Sequence, residues 1–490
     1  MSDVRSAAAW LGVAVLFLFF VVWFWERGPG LDRDDYALYL LHAQSIAEGR
    51  PYTDTGFIGT PLDIAPPAQP PGLPLVLAGT FLLAGGFSAT AVKIAMALLA
   101  GLAVFVPGLY VGRLRGALFG VAVSAFLTIA WATSSIHPES DLGFVALVWS
   151  VLSLLDVPDR GPTWRSLVLV LALGTLAMAF RMVGVALIPT VAWFALANHK
   201  RFGVLPALPL AVWGVGGVLV LAMAGWSVIA AQLPSDLLHM GSRAVSRLPY
   251  YGRAAVPAHL YPFSPDLAND AYHIASLGLT AIGLASWTKT SWRTAAWGFA
   301  VSYGSLLLVA TAASDRYLMP LYPVLVFGFL HGLEIVVAFV SSRLRAGPER
   351  MASRAVAGTA ALVVTLSAVQ LLGEPRRGGH LAELPDTRSM FDALASFGDD
   401  DSSRTRVAFI QPRVLTWSTG IEAMVIPPAR PDAIVAELER TGITHVVLDN
   451  LGLARGRTAR MQDIIDENGC RFELAYSNES YRVFRVTDDC

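Results

Sequence analysis

The sequence predicts a mainly α-helical, polytopic membrane protein that ends in a small α/β domain, and three observations carry that expectation. Charged residues make up 15% of the 490 and hydrophobic ones 54%, whereas a soluble chain carries about a quarter charged. Apolar stretches able to cross a hydrocarbon core of about 30 Å succeed one another through Leu372. Beyond Gly373 hydropathy falls, and short strand-like runs alternate with amphipathic helical ones.

The first stretch, Ala7 to Trp25, follows Arg5 and ends in Trp23, Phe24 and Trp25. A cleaved signal peptide needs small residues there, so this segment is expected to be a retained span. Ten more follow: Ala91 to Tyr110, Ala117 to Thr133, Ser140 to Leu155, Ser166 to Phe180, Met182 to Ala197, Gly203 to Ala231, Ala271 to Trp287, Thr294 to Ala312, Tyr317 to Val340 and Ala355 to Leu372. Gly72 to Phe87 is also apolar, and charge decides its place. Five connections are cationic: Arg113 with Arg115, Arg160 with Arg165, Lys200 with Arg201, Lys289 with Arg293, and the group from Arg343 to Arg354. All five face the cytoplasm only if Gly72 to Phe87 does not cross. It is therefore expected to lie in the outer interface, entered through the proline-rich run Pro66 to Pro74. The alternative, a twelfth span, breaks the charge rule at every one of those connections.

About eleven spans with the N-terminus inside put residues 1–372 in a transmembrane module and 373–490 in a soluble extracytoplasmic domain. Outer loops would cover 26–72 and 232–270, together with "SSIHPES", Arg181 and "SDRY". In the tail, "RVAFI", "THVVLDN", "RFELAYS" and "YRVFRV" read as strands. Pro431 to Thr441, stopped by Gly442, and Thr458 to Asn468, stopped by Gly469, read as helices. The tail has neither GxGxxG nor a P-loop, which argues against a nucleotide site. Cys470 and Cys490 are the two cysteines, too few for a zinc ribbon or a disulfide scaffold; an outer location would allow them to pair, and the sequence leaves that open. A net charge of −1 offers no sign of a nucleic-acid partner.

The chemistry-bearing residues fall on the outer side. Asp34 and Asp35, in "DRDD", are either a solvated acidic start to an amphipathic helix or a catalytic pair in which one carboxylate is a general base for an acceptor hydroxyl or amine. "DRD" also looks like the metal- and nucleotide-holding element of soluble glycosyltransferases, but nucleotide sugars are not expected outside. Arg181 sits at a break between two apolar segments, where a guanidinium is costly unless it meets an anion. Arg243 and Arg247 share a helical face at i, i+4, and Arg316 with Tyr317 opens a later span. Phosphate suits guanidinium geometry best, although Arg316 would equally find a carboxylate such as Asp315. "HPES" and Asp141 add His137, Glu139 and Asp141. No HxxxH or HExxH accompanies them, so no metal is expected. An acid beside the membrane and arginines fitted to phosphate together suggest a lipid-phosphate substrate.

Several stretches resemble the GT-C class of membrane glycosyltransferases, the group of the protein O-mannosyltransferases and the lipid A aminoarabinose transferase. "DDYALYLLHAQSIAEGRPYTD" is similar to its first-loop signature, "APPAQPPGLPLVLAG" to its proline-rich helix entry and "HPES" to its acidic third-loop region. "FRMVGVALIP" is similar to its Arg-then-Gly span start and "DRYLMPLYPVL" to its RYLxPxxP element. The likeness runs over most of Asp32 to Val324, and the tail resembles the small domain of many bacterial members. It implies seven conserved spans, matching the seven counted before Gln232. It also implies transfer of a sugar, with inversion, from a polyprenyl-phosphate carrier to a cell-envelope acceptor. By resemblance Asp34 is the catalytic aspartate with Asp35 beside it, Glu139 the third-loop acid, and Arg181 and Arg316 the basic positions near the carrier phosphate. Ala65, before Pro66 and Pro67, departs from the aromatic or His usual there. No cofactor is required on this reading, though Asp32, Asp34 and Glu139 could recruit a divalent ion. Expected partners are the lipid-linked donor, an envelope acceptor and membrane lipid. Rival readings are a flippase for lipid-linked sugars or other transporter, favoured by the break at Arg181, and a non-catalytic membrane scaffold. The sequence names neither sugar nor acceptor, and leaves carrier length and oligomeric state open.

Overall fold

A computed structural model describes residues 34–59, 69–133, 140–156, 162–202, 266–309, 315–343, 351–359, 381–400, 405–427, 429–451 and 455–487, with shorter runs within 11–22, 209–251 and 361–365. The chain forms two compact units, Met1–Gly28 with Met96–Pro375, and Pro29–Ala95 with Arg376–Cys490.

The longer described helices before the tail include α1 (Asp34–Ala47), α2 (Gly72–Ala84), α3 (Ala89–Arg115), α4 (Ala117–Thr133), α5 (Ser140–Leu155), α6 (Trp164–Phe180), α7 (Leu187–Ala197), α8 (Asp266–Ser291), α9 (Ala295–Val309) and α10 (Tyr322–Arg343). Two 3-10 turns, Met182–Ala186 and Asp315–Leu321, interrupt the series. Two helical runs among the described residues, Ala89–Arg115 and Arg316–Arg343, are long and apolar enough to cross a membrane. Shorter apolar helices correspond to the expected spans beginning near residues 117, 140, 166, 182 and 294. The expected spans Gly203 to Ala231 and Ala355 to Leu372 lie largely outside the described residues. α2 has 13 residues, about 20 Å at the α-helical rise, short of a hydrocarbon core. Gly85 closes it in the left-handed conformation at φ +75°.

In the first unit helices approach through glycine. α8 packs along α10, and a Cβ on Gly332 would fall 1.9 Å from the Leu279 carbonyl oxygen, while one on Gly283 would fall 1.9 Å from that of Gly328. Backbone cannot rotate away as a side chain can, so only residues lacking a Cβ allow this approach. Gly332→Ala is expected to lower stability by roughly 1–3 kcal/mol, the usual effect of overpacking, read as an earlier denaturation midpoint in detergent. Asp156, just past α5, ties three segments together: it accepts from the amides of Ala295 (2.7 Å) and Ala296 (3.1 Å) and from the Tyr110 hydroxyl (2.7 Å). A carboxylate from one helix thereby caps the N-terminus of another.

The second unit is built on a five-stranded sheet of order β2-β1-β3-β5-β4. Its strands are β1 (Arg406–Phe409), β2 (Glu422–Val425), β3 (His445–Asp449), β4 (Phe472–Ser477) and β5 (Tyr481–Val486). β1 runs parallel to β2 and β3, and β5 antiparallel to β3 and β4. Alternate side chains divide two cores. Ala408, Met424, Val446, Leu448 and Phe484 pack with helices α13 (Pro431–Thr441) and α14 (Arg455–Glu467). Val407, Phe409, Ala423, Val447 and Val483 pack on the other face with α11 (Pro385–Asp400) and α12 (Pro412–Thr419). Ala37 of α1 joins that second core. Pro431 and Gly442 bound α13 as expected, Gly442 being left-handed at φ +65°. The four strands read from sequence are present, joined by β2. Cys470 is disulfide-bonded; the one other cysteine in the sequence, Cys490, lies outside the described residues.

The division into units differs from a cut at residue 372, because residues 29–95 pack with the tail. Phe57 bridges Ala423 in parallel, adding an edge to β2 through Ile58 N–H to Ala423 O (2.8 Å) and Ala423 N–H to Gly56 O (3.1 Å). The Arg413 guanidinium lies 4.7 Å from the Phe57 ring centre, and Phe87 meets Trp417 edge-on at 4.9 Å. Gly56, at φ +72°, would bring a Cβ within 2.7 Å of Thr416 Cγ2.

His445 on β3 is buried and stacks on Phe397 at 5.0 Å. Burial, helped by the cation of Arg485, pushes its pKa from 6.5 down to about 4. Above pH 6.5 the folded and unfolded chains are both neutral at this residue. Between pH 6.5 and about 4 the unfolded chain takes up a proton that the folded one refuses, so stability falls through that window as pH drops. Protection factors along β3, with the intrinsic pH dependence of amide exchange divided out, are expected to fall over this range, and His445→Gln to flatten the dependence.

Candidate functional site

Each unit contributes one group of the residues expected to act. In the first, α6 ends at Phe180 and Arg181 turns to extended backbone at φ −148°, ψ 128° before the 3-10 turn. Gly184 permits the fold-back, since a Cβ there would lie 2.9 Å from the Met178 backbone. The break at "FRMVG" is thus a built corner that presents one guanidinium.

That guanidinium meets an anion within the protein. Arg181 Nη2 pairs with Asp141 Oδ1 at 2.9 Å, with the side chains 13% and 2% exposed, and Nη1 donates to Ser140 Oγ at 3.3 Å. Asp141 Oδ2 is buried and has no hydrogen-bond partner among the described residues. Arg181 also stands 5.5 Å from the centre of the Tyr317 ring, and Arg316 stands 5.6 Å from the same ring. The Tyr317 carbonyl accepts from the Tyr303 hydroxyl at 3.0 Å. Arg181, Arg316 and Tyr317 are therefore brought together, although 135 residues separate the two arginines. Asp141 is the partner that sequence reasoning did not assign; an acid in the first turn of a helix was the available signal, but its pairing depends on α5 lying against α6. Arg247 donates from Nη1 to the Leu307 carbonyl at 3.4 Å, near the end of α9, the helix that carries Tyr303. Glu139 and Arg243 lie outside the described residues.

The second group is α1 and the loop after it. Asp34 and Asp35 form its first turn, and their side chains lie outside the description. From Tyr36 to Ala43 every residue is buried, so these residues do not form the amphipathic, half-solvated helix that one of the two alternatives for Asp34 and Asp35 requires. "YALYLLHA" is apolar around nearly the whole helix, which is the pattern of a buried one. His42 Nδ1 lies 2.8 Å from the Tyr52 carbonyl, and Nε2 accepts the Gln69 amide at 3.3 Å. Those partners fix the neutral tautomer with its proton on Nδ1, and burial lowers the pKa accordingly. The ring stacks on Tyr52 at 4.2 Å, and the Tyr52 hydroxyl donates to the Gln69 carbonyl at 2.6 Å. Ser45 Oγ donates to Asp54 O at 2.6 Å. "GRPYTD" is in this way strapped back onto the second half of α1. Both nitrogens of His42 are thus engaged within the protein.

No protein-family model matches the chain, and no curated protein does. Among solved structures it is similar to ArnT from Cupriavidus metallidurans in the apo state, at 15% identity over 97% of each chain with a TM-score of 0.55. The same protein bound to undecaprenyl phosphate matches at 14% identity over 98% of each chain, TM-score 0.53. At these identities the likeness shows a shared fold, helical module and tail alike, of the GT-C kind that the sequence motifs resemble.

Proposed function

We propose that this chain is a multi-pass membrane glycosyltransferase that moves a sugar from a polyprenyl-phosphate carrier to an acceptor of the cell envelope at the outer face of the inner membrane. The observation that carries the reading is the gathering of Arg181 and Arg316 at one tyrosine ring. The full-length likeness to a protein solved with undecaprenyl phosphate supports it, as does the order of the sequence motifs.

In the proposed reaction Asp34 takes the proton of the acceptor hydroxyl or amine as that atom attacks the anomeric carbon. The new glycosidic bond forms as the bond from the anomeric carbon to the phosphate oxygen breaks, and the electron pair leaves on the lipid phosphate. Arg181 and Arg316 offset the charge that grows there, and Asp35, Glu139, Arg243, Arg247 and Tyr317 orient donor and acceptor. The Arg181–Asp141 pair gives this a physical basis: a buried carboxylate 2.9 Å away fixes where the guanidinium sits at the corner shared with Tyr317.

The test is incubation of purified protein with a panel of polyprenyl-phosphate sugars and envelope-extracted acceptors. Consumption of one donor with labelling of an acceptor supports the reading. An intact donor that changes sides in reconstituted vesicles supports the transporter instead.

A further inference from the structure

At the far end of α5 from the arginine pair, about 22 Å along the helix from Asp141, the ends of α3, α5 and α7 and the start of α9 surround a cavity of about 670 Å³. Its size is within the roughly 300–1,000 Å³ usual for small-ligand sites. The connections that converge on it include three of those whose cations assign them to the cytoplasm: Leu114 lies between Arg113 and Arg115, and Lys200 and Arg293 line the cavity themselves.

Three kinds of surface meet there. Lys200 and Arg293 are exposed cations with no ion-pair partner among the described residues. Asp156 is the acid in the lining, and both its oxygens are occupied by the Ala295 and Ala296 amides and the Tyr110 hydroxyl, so it does not neutralise them by contact. Next to the cations stand two indoles: Trp193 Nε1 donates to the Trp292 carbonyl at 2.8 Å, and the Arg293 guanidinium lies 4.9 Å from the Trp292 ring. The third surface is an apolar flank open to the outside, with Leu196 73% and Trp193 40% exposed. A soluble anion needs the cations but has no use for that flank. A lipid needs both, and tryptophan beside cations is the composition of a membrane interface.

We infer that this cavity binds the phosphodiester headgroup of an anionic phospholipid from the cytoplasmic leaflet, with an acyl chain against Leu196 and Trp193. The inference rests on the membrane orientation proposed above but not on sugar transfer. It is tested by native mass spectrometry of the full-length protein released from neutral detergent micelles containing phosphatidylglycerol or phosphatidylcholine. Wild type is expected to retain phosphatidylglycerol in preference. Lys200→Ala combined with Arg293→Ala is expected to weaken retention about 30-fold, from the usual attraction per cation, while Lys200→Arg keeps it. Equal retention of phosphatidylcholine by wild type overturns the inference without recourse to any variant, as does unchanged retention by the folded double variant. Displacement by inorganic phosphate as readily as by phosphatidylglycerol overturns the lipid occupant in favour of free phosphate. A failed sugar-transfer assay would leave each of these outcomes readable.

Discussion

Asp34→Asn is expected to lower the rate of sugar transfer by about 10²–10⁴-fold, the contribution usual for a positioned general base, while donor binding and the denaturation midpoint stay near wild type. Asparagine keeps the size and the helix-capping ability of aspartate but cannot accept the acceptor's proton. The loss should fall on turnover more than on KM, because the interaction is made in the transition state. Asp35→Asn is expected to have a smaller effect, since the resemblance makes Asp35 the neighbour of the base. A scaffold would not register either change.

The largest expected effect on stability is at Asp141. Its side chain is 2% exposed and holds the Arg181 guanidinium at 2.9 Å. Asp141→Ala leaves that cation without its buried counter-ion, and breaking such a pair from one side costs about 3–5 kcal/mol. Removing both charges in Asp141→Ala with Arg181→Met is expected to recover much of the loss, because the pair's net worth is far smaller than the cost of orphaning one member. The recovered protein should nevertheless lack transfer activity, since the proposed phosphate contact has gone with Arg181. Denaturation in detergent and a transfer assay on the same preparations separate the two roles.

What the sequence disclosed followed from local rules. Proline in the first turn and Gly442 after the last bounded α13, and the runs "RVAFI" and "THVVLDN" are apolar because β1 and β3 are covered on both faces. β2 escaped notice: "EAMV" is four residues with little periodicity. The same holds for "GFIG", whose pairing with β2 joins the opening loop to the tail; nothing short of the folded sheet edge distinguishes it from coil. α11 and α12 were missed as well, though Pro385 and Pro412 open them.

The candidate site was legible in part for a similar reason. An arginine at a break between apolar segments must find an anion, so Arg181 could be singled out by its cost alone. Which anion it finds depends on the packing of α5 on α6, and its meeting with Arg316 on Tyr317 depends on the second 3-10 turn reaching the same corner. Burial of α1 from Tyr36 to Ala43 was written in "YALYLLHA", whereas the solvated alternative rested on the acidic start alone.

The most direct measurement is to follow both halves of the reaction at once, with a polyprenyl-phosphate sugar labelled in sugar and phosphate. Wild-type protein with its acceptor should release free polyprenyl phosphate in a one-to-one ratio with glycosylated acceptor, and the new linkage should carry the opposite anomeric configuration to the donor. An acceptor glycosylated with retained configuration, or the same release of carrier phosphate from the folded Asp34→Asn protein, would contradict the account.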